Sequence, residues 1–150
     1  MCGEYMRVAI VYDSSTGNTE LMAKAIAEGA KSVNNVEVIL KKLDNGFTPE
    51  ELVDASAIIL GSPTIYGGVS EKMKTLLEAM KNIRLQGKIG AAFGSYQWSG
   101  EAPNVLNEAM KSLGMNIVEP ALLAELTPKE SDLKQCRELG EAVARKLAKS

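Results

Sequence analysis

The sequence has no histidine among its 150 residues. That removes histidine-based triads, imidazole metal sites and the commonest general base together. Its two cysteines, Cys2 and Cys136, are too few and too far apart for a disulfide framework or a thiolate zinc site, and they point to a reducing cytoplasm. No apolar run approaches the roughly 20 residues that cross a bilayer. The opening "MCGEYMRVAIVYD" lacks a basic region ahead of a signal-type stretch, so its apolar run reads as a first strand. The formal charge is -2 with no basic stripe, which leaves nucleic acid and anionic lipid without an electrostatic footprint. Partners are then proteins or small molecules. Chemistry, if any, comes from something other than these side chains.

What is present is an ordinary globular composition, 45% apolar and 24% charged, at a length suited to one domain spanning 1–150. Five apolar runs have strand length: Met6 to Tyr12, Val36 to Lys41, Ala55 to Leu60, Lys88 to Phe93, and Ile117 to Ala124, which Pro120 interrupts. Between them lie helix-period faces. Met22, Ala25, Ile26, Gly29 and Val33 form the first, Val69, Met73, Leu76, Leu77 and Met80 the second, and Val105, Leu106, Ala109, Met110 and Leu113 the third. The last, Leu133, Cys136, Gly140, Val143 and Leu147, makes Cys136 a core residue. Capping boxes stand at Thr48 with Glu51 and at Thr127 with Glu130, each with proline next to the cap. Strand and helix alternate, so the strands pair in parallel through right-handed crossovers. The apolar "AIIL" and "GAAF" suit a sheet covered on both faces, and the more alternating "VEVILK" suits an edge. The expected fold is α/β, a doubly wound five-stranded parallel sheet with helices on both faces.

In such a sheet ligands bind beyond the carboxyl ends of the strands. After the first strand comes "DSSTGNT". Residues Ser14 to Thr19 lie where a strand gives way to a helix N-terminus, whose N–H groups and dipole favour an anion. The side chains of Ser14, Thr16, Asn18 and Thr19 add hydrogen-bond donors, and Gly17 lets the backbone curl. The loop lacks the lysine of a Walker A motif and is not G-x-G-x-x-G. It suits a phosphate monoester held without a cation, against the plain alternative of a hydroxyl-rich cap with no ligand. After the third strand, "GSPTIYGG" puts Pro63 and the pair Gly67 and Gly68 around Ile65 and Tyr66, so a peptide there turns over at low cost. After the fourth, "GSYQWSGEAP" places the single tryptophan, Trp98, beside Tyr96 in a polar setting, as a stacking platform or a core plug. Together these loops describe a site for a phosphorylated ligand with a flat ring system, such as FMN.

The stretches "VYDSSTGNTELMAKAIAEG", "LGSPTIYGG" and "KIGAAFGSYQWSGEA" resemble the phosphate loop and two ring loops of the flavodoxin family. The resemblance covers nearly the whole chain and is strongest to the flavodoxin-like FMN domain of flavodiiron proteins. It implies a flavodoxin-like sheet in the order 2-1-3-4-5. It also implies noncovalent FMN, with the phosphate on Ser14, Ser15, Thr16, Gly17, Asn18 and Thr19. The ring would lie among Pro63, Thr64, Ile65, Tyr66, Gly67 and Gly68 on one side and Ser95, Tyr96, Gln97, Trp98 and Gly100 on the other. The implied role is an electron carrier, not an enzyme, working as a monomer or homodimer between a reductase and an acceptor protein, a separate flavodiiron-type core among the candidates. Two departures stand out. The chain is less acidic than is common for flavodoxins, and without histidine it lacks the usual ligands of a di-iron centre.

A reductase of the same fold, acting on NAD(P)H or a quinone through FMN, is the alternative, although the sequence has no insertion that would build a substrate pocket. A response-regulator receiver would need an acidic cluster after the first strand and a phosphorylatable Asp after the third. "GSPTIYGG" offers none.

Overall fold

The computed structural model describes residues 6–14, 16–43, 47–118 and 120–148. Its sheet is parallel throughout, in the order β2-β1-β3-β4-β5 with β6 also on β4. The strands are β1 (Met6–Tyr12), β2 (Val36–Lys42), β3 (Ala57–Gly61), β4 (Ile89–Tyr96), β5 (Asn116–Ile117) and β6 (Leu122–Glu125). The helices are α1 (Asn18–Lys31), α2 (Glu71–Met80), α3 (Ala102–Ser112) and α4 (Glu130–Ala148). This is the flavodoxin-like order that the family resemblance implies, and β2 stands at the edge as its alternation suggests.

Alternation along the central strands sorts their side chains into two cores. On one face Val8, Ile10, Ile59 and Phe93 meet Met22 and Ile26 of α1 and Cys136, Leu139 and Val143 of α4. On the other, Val11, Ile58 and Leu60 meet Met73, Leu76 and Met80 of α2 and Leu106 and Met110 of α3. Cys136 is fully buried, and burial, reinforced by Asp132 and partly offset by Arg137, pushes its thiol up to about 12. It stays protonated and packs as a small apolar group. Cys2 lies outside the described residues.

Two differences from the sequence reading have local causes. The fifth run is two strands: Pro120 has no N–H for the ladder, so β5 pairs with Ile89 and Gly90 while β6 pairs with Phe93 to Tyr96. That second pairing extends β4 three residues past Phe93, and Ser95 and Tyr96 therefore stand on the strand end. The Thr127 box is displaced, because α4 starts at Glu130 and the Asp132 carboxylate accepts the Lys129 N–H at 2.8 Å. The Thr48 box forms as expected, its N–H donating to Glu51 Oε2 at 3.0 Å, although the turn Pro49–Leu52 is 3-10. Val105, placed on the apolar face of α3 by its spacing, is 38% exposed.

Helices α1 and α4 pack backbone to backbone. A Cβ on Gly140 would stand 1.9 Å from the Ile26 carbonyl oxygen, and one on Gly29 would stand 1.9 Å from that of Arg137. Since neither obstacle is a movable side chain, Gly140→Ala must part the helices. Such overpacking costs about 1 to 3 kcal/mol. The urea midpoint of Gly140→Ala is expected to fall accordingly, and an unchanged midpoint would mean that the helices separate freely.

Candidate functional site at the carboxyl edge of the sheet

The loops that follow β1, β3 and β4 converge because β1 lies between β2 and β3, with α1 leaving on one face of the sheet and α2 on the other. The first loop is built around Ser14. Only 8% exposed, it accepts hydrogen bonds at Oγ from the N–H of Gly17 (3.1 Å) and of Glu20 (3.3 Å). This ties the turn into the first turn of α1, and Gly17 takes φ 91°, open to glycine without strain. Ser14 therefore already performs the capping role that the bland reading assigned to the loop. Ser15 lies outside the described residues. Glu20, beside the loop, is paired with Lys24 at 3.3 Å and Lys42 at 3.9 Å, so two lysines from outside the motif offset its charge. Burial, with Glu20 adding to it, raises the pKa of the Tyr12 phenol.

Thr19 faces inward at 1% exposure, its Oγ1 2.8 Å from Ser95 Oγ at the end of β4. Ser95 O accepts the Thr64 N–H at 3.3 Å, and Thr64 Oγ1 accepts the Ala102 N–H at 3.1 Å. Hydrogen bonds thus run from the first loop across β4 to the second loop and on to the start of α3.

The second loop closes as a hairpin. Ile65 N–H donates to Gly68 O at 2.8 Å and Gly68 N–H to Ile65 O at 3.0 Å. Tyr66 and Gly67 form its tip at φ 48° and 76°, and the positive φ of Tyr66 makes this a strained turn for a tyrosine. The Tyr66 side chain projects fully into solvent, and Trp98 is 90% exposed.

These placements form two adjoining hollows. Thr16, Asn18, Pro63, Thr64, Ile65, Ser95, Tyr96, Gln97 and Leu126 line one of about 130 Å³, and Thr64 to Gly67 with Trp98 and Ser99 line another of about 330 Å³. The fold therefore brings together eleven of the residues singled out from the sequence: Thr16, Asn18, Pro63, Thr64, Ile65, Tyr66, Gly67, Ser95, Tyr96, Gln97 and Trp98. Ser14, Gly17, Thr19 and Gly68 shape the surrounding backbone instead. Gly100 lines neither hollow, and a Cβ there would stand 2.8 Å from Leu123 Cδ2. Leu126 was not foreseen. It sits at φ 56° just beyond β6 and donates its N–H to Tyr96 O at 2.7 Å, a pairing that only the split fifth strand creates. No helix among the described residues is long and apolar enough to cross a membrane, and no group of three or more potential metal ligands occurs among them.

Fold and site together define a doubly wound domain with an anion-favouring helix start facing an aromatic-rimmed cleft. Residues 10–140 match the flavodoxin family model, and the chain belongs to that family. It is 37% identical to the type A flavoprotein fprA of Rhodobacter capsulatus over 95% of this chain and 33% of that protein. Among solved structures, a flavodoxin from the domain Archaea superposes with a TM-score of 0.90 at 40% identity, over 95% of this chain and 99% of that one. Rubredoxin oxygen:oxidoreductase from Desulfovibrio gigas superposes at 0.89 with 32% identity, over 97% of this chain and 37% of that one. The chain spans about a third of the length of the first curated relatives it matches. A flavodoxin-like fold of this kind supports flavin-based electron transfer.

Removing the Ser14 hydroxyl leaves two N–H groups without their acceptor. Ser14→Ala is expected to lower stability by about 1 kcal/mol in thermal unfolding of the flavin-free chain. No loss there would free Ser14 for a ligand-only role.

Proposed function

We propose that residues 1–150 form one FMN-binding domain that carries electrons from a reductase to an acceptor protein. The observation that carries this reading is the convergence of Thr16 and Asn18 with Pro63 to Ile65 and Ser95 to Gln97 around one cleft, flanked by the exposed rings of Tyr66 and Trp98. The residues fit the cofactor. Ser14 occupies the N–H groups of Gly17 and Glu20, and the peptides of Asn18 and Thr19 between them belong to the helix turn whose N–H groups are free for an anion. The side chains of Thr16 and Asn18 supply further donors, and the paired lysines keep Glu20 from repelling a phosphate. Ile65, Tyr66 and Trp98 offer apolar surface to a flat ring. When bound, FMN supplies the electron-carrying chemistry, and the protein sets its orientation and its access to water.

The turn at Tyr66 and Gly67 has a further task in this reading. Ile65 and Gly68 satisfy each other, so the peptide joining Tyr66 to Gly67 is the one able to rotate without breaking the hairpin, and it can present either its N–H or its carbonyl to the cleft. Partner docking falls to the same rim. The acceptor class includes a separate flavodiiron-type core, since the relatives named type A flavoprotein fprA carry the matching segment within a chain about three times as long. A reducing cytoplasm suits such traffic, and the carrier works as a monomer or homodimer.

Two measurements test this. Calorimetry is expected to give one FMN per chain and an affinity for riboflavin lower by several powers of ten, because each charged hydrogen bond contributes about 1.5 to 3 kcal/mol. The emission of Trp98, the single tryptophan, should be quenched in step with FMN binding. Equal affinities, or unchanged emission at saturation, would remove the phosphate cradle or the stacking role respectively.

Carrier and reductase separate on hydride transfer, which needs a nicotinamide held in near-attack geometry against the ring. In this reading Trp98 and the Ile65 hairpin cover that surface. In stopped flow the holoprotein is expected to keep its flavin colour in excess NADPH until a flavoprotein reductase is added. Rapid bleaching without one would establish the NAD(P)H reductase instead.

A further inference from the structure

The two edges of the sheet are built differently. Strand β2 exposes Glu37, Lys41 and Lys42, and each is held in an ion pair, with Arg7, Glu51 and Glu20 respectively. Charges of this kind discourage a further strand. Beyond β4 the sheet ends in β6, where Leu122 and Ala124 pack into the core while Leu123 and Leu126 stand 39% and 51% exposed.

One contact sets the hydrogen-bond phase of β6. Leu126 donates its N–H to Tyr96 O, and Leu123 is the register partner of Gly94, so Leu122, Ala124 and Leu126 turn their peptide groups toward β4. By alternation the N–H and C=O of Leu123 and Glu125 point away from the sheet. Among the described residues no strand takes them.

We propose that β6 is a strand-addition site for an extended segment of a partner protein, one that alternates apolar and basic residues. Its outward backbone groups supply the pairing, and its side chains select the occupant. The stretches 96–102 and 122–126 hold two charged residues, Glu101 and Glu125, both exposed and neither paired with a cation among the described residues. A Cβ on Gly100, the neighbour of Glu101, would meet Leu123 Cδ2 at 2.8 Å, so the first acid and the exposed leucine share one patch. A second copy of this chain, paired through its own β6, would bring like acids together. A basic segment meets them with opposite charge, and cross-strand pairs of opposite charge stabilise where like pairs destabilise. The brevity of β6 keeps the contact weak, as suits a partner that must leave. Because β6 runs into Leu126, which lines the cleft, the added segment lies alongside the proposed site. The pairing groups are backbone atoms of β6, so the inference does not depend on the FMN reading.

The probe is a blocked synthetic peptide, Lys-Val-Lys-Val-Lys-Val, titrated into the isotope-labelled full chain and followed by amide hydrogen exchange. Binding is expected to slow exchange at Leu123 and Glu125 while leaving Leu122 and Ala124 unchanged. A peptide of the same sequence with its valines N-methylated keeps the charge and loses pairing donors, and it should bind about tenfold more weakly, as the loss of one or two hydrogen bonds brings. Glu125→Lys, a change at an exposed position, should weaken the unmethylated peptide and spare the fold. No binding, equal binding of the two peptides, or exchange that slows without alternation along β6 overturns the inference. Protection of Leu123 and Glu125 in the chain alone, with a sedimentation mass that rises with concentration, would make a second copy the occupant and overturn the partner reading.

Discussion

The structure depends on β1 having a neighbour on each side that is reached by crossovers on opposite faces. With β2 and β3 flanking it, α1 is sent to one face and α2 to the other, and a gap opens at the carboxyl edge where the sheet changes direction. Everything assigned to function lies around that gap. A helix start on one side brings partial positive charge without a cation, and a hairpin and a strand end on the other bring apolar and aromatic surface. In the proposed reading the same geometry lets one loop serve stability and binding together. Ser14 caps α1 from beneath, leaving the outer side of the turn for a ligand.

Much of this architecture was legible because buried parallel strands and amphipathic helices have different periods. The strands at Met6, Val36, Ala57 and Ile89 emerge within a few residues of their apolar runs, and "VEVILK" betrays the edge by its alternation. The fifth strand was harder. Pro120 announces a break, but not that both fragments would still find β4, nor that the second would lengthen β4 and bring Leu126 to the cleft. That outcome depends on pairing between residues about thirty apart. The Thr127 box misled for a related reason: two acids follow the proline, and Asp132 competes with Glu130 for the role of capping partner.

At the site, residue types were easier to read than their duties. Hydroxyls in "SSTGNT" suggest donors to an anion whichever way they point, whereas the structure divides them between an internal cap, an inward link to β4 and the open cleft. Gly67 and Gly68 look equivalent in sequence. Only the hairpin separates them, giving Gly67 the positive φ and Gly68 the paired end. Likewise the motif contains no positive charge, but the fold brings Lys24 and Lys42 to the neighbouring Glu20, so the local field differs from the local sequence.

The paired glycines of α1 and α4 bear on how the chain acquires its shape. Gly29 and Gly140 are synthesised more than a hundred residues apart, yet their helices touch without side chains between them. Loop closure on that scale raises contact order and slows the final docking step. On the ribosome the part of α1 that faces α4 must wait uncovered until that last segment has emerged. Since the proposed anion cradle lies at the other end of α1, it would rest on a helix whose support arrives late in synthesis.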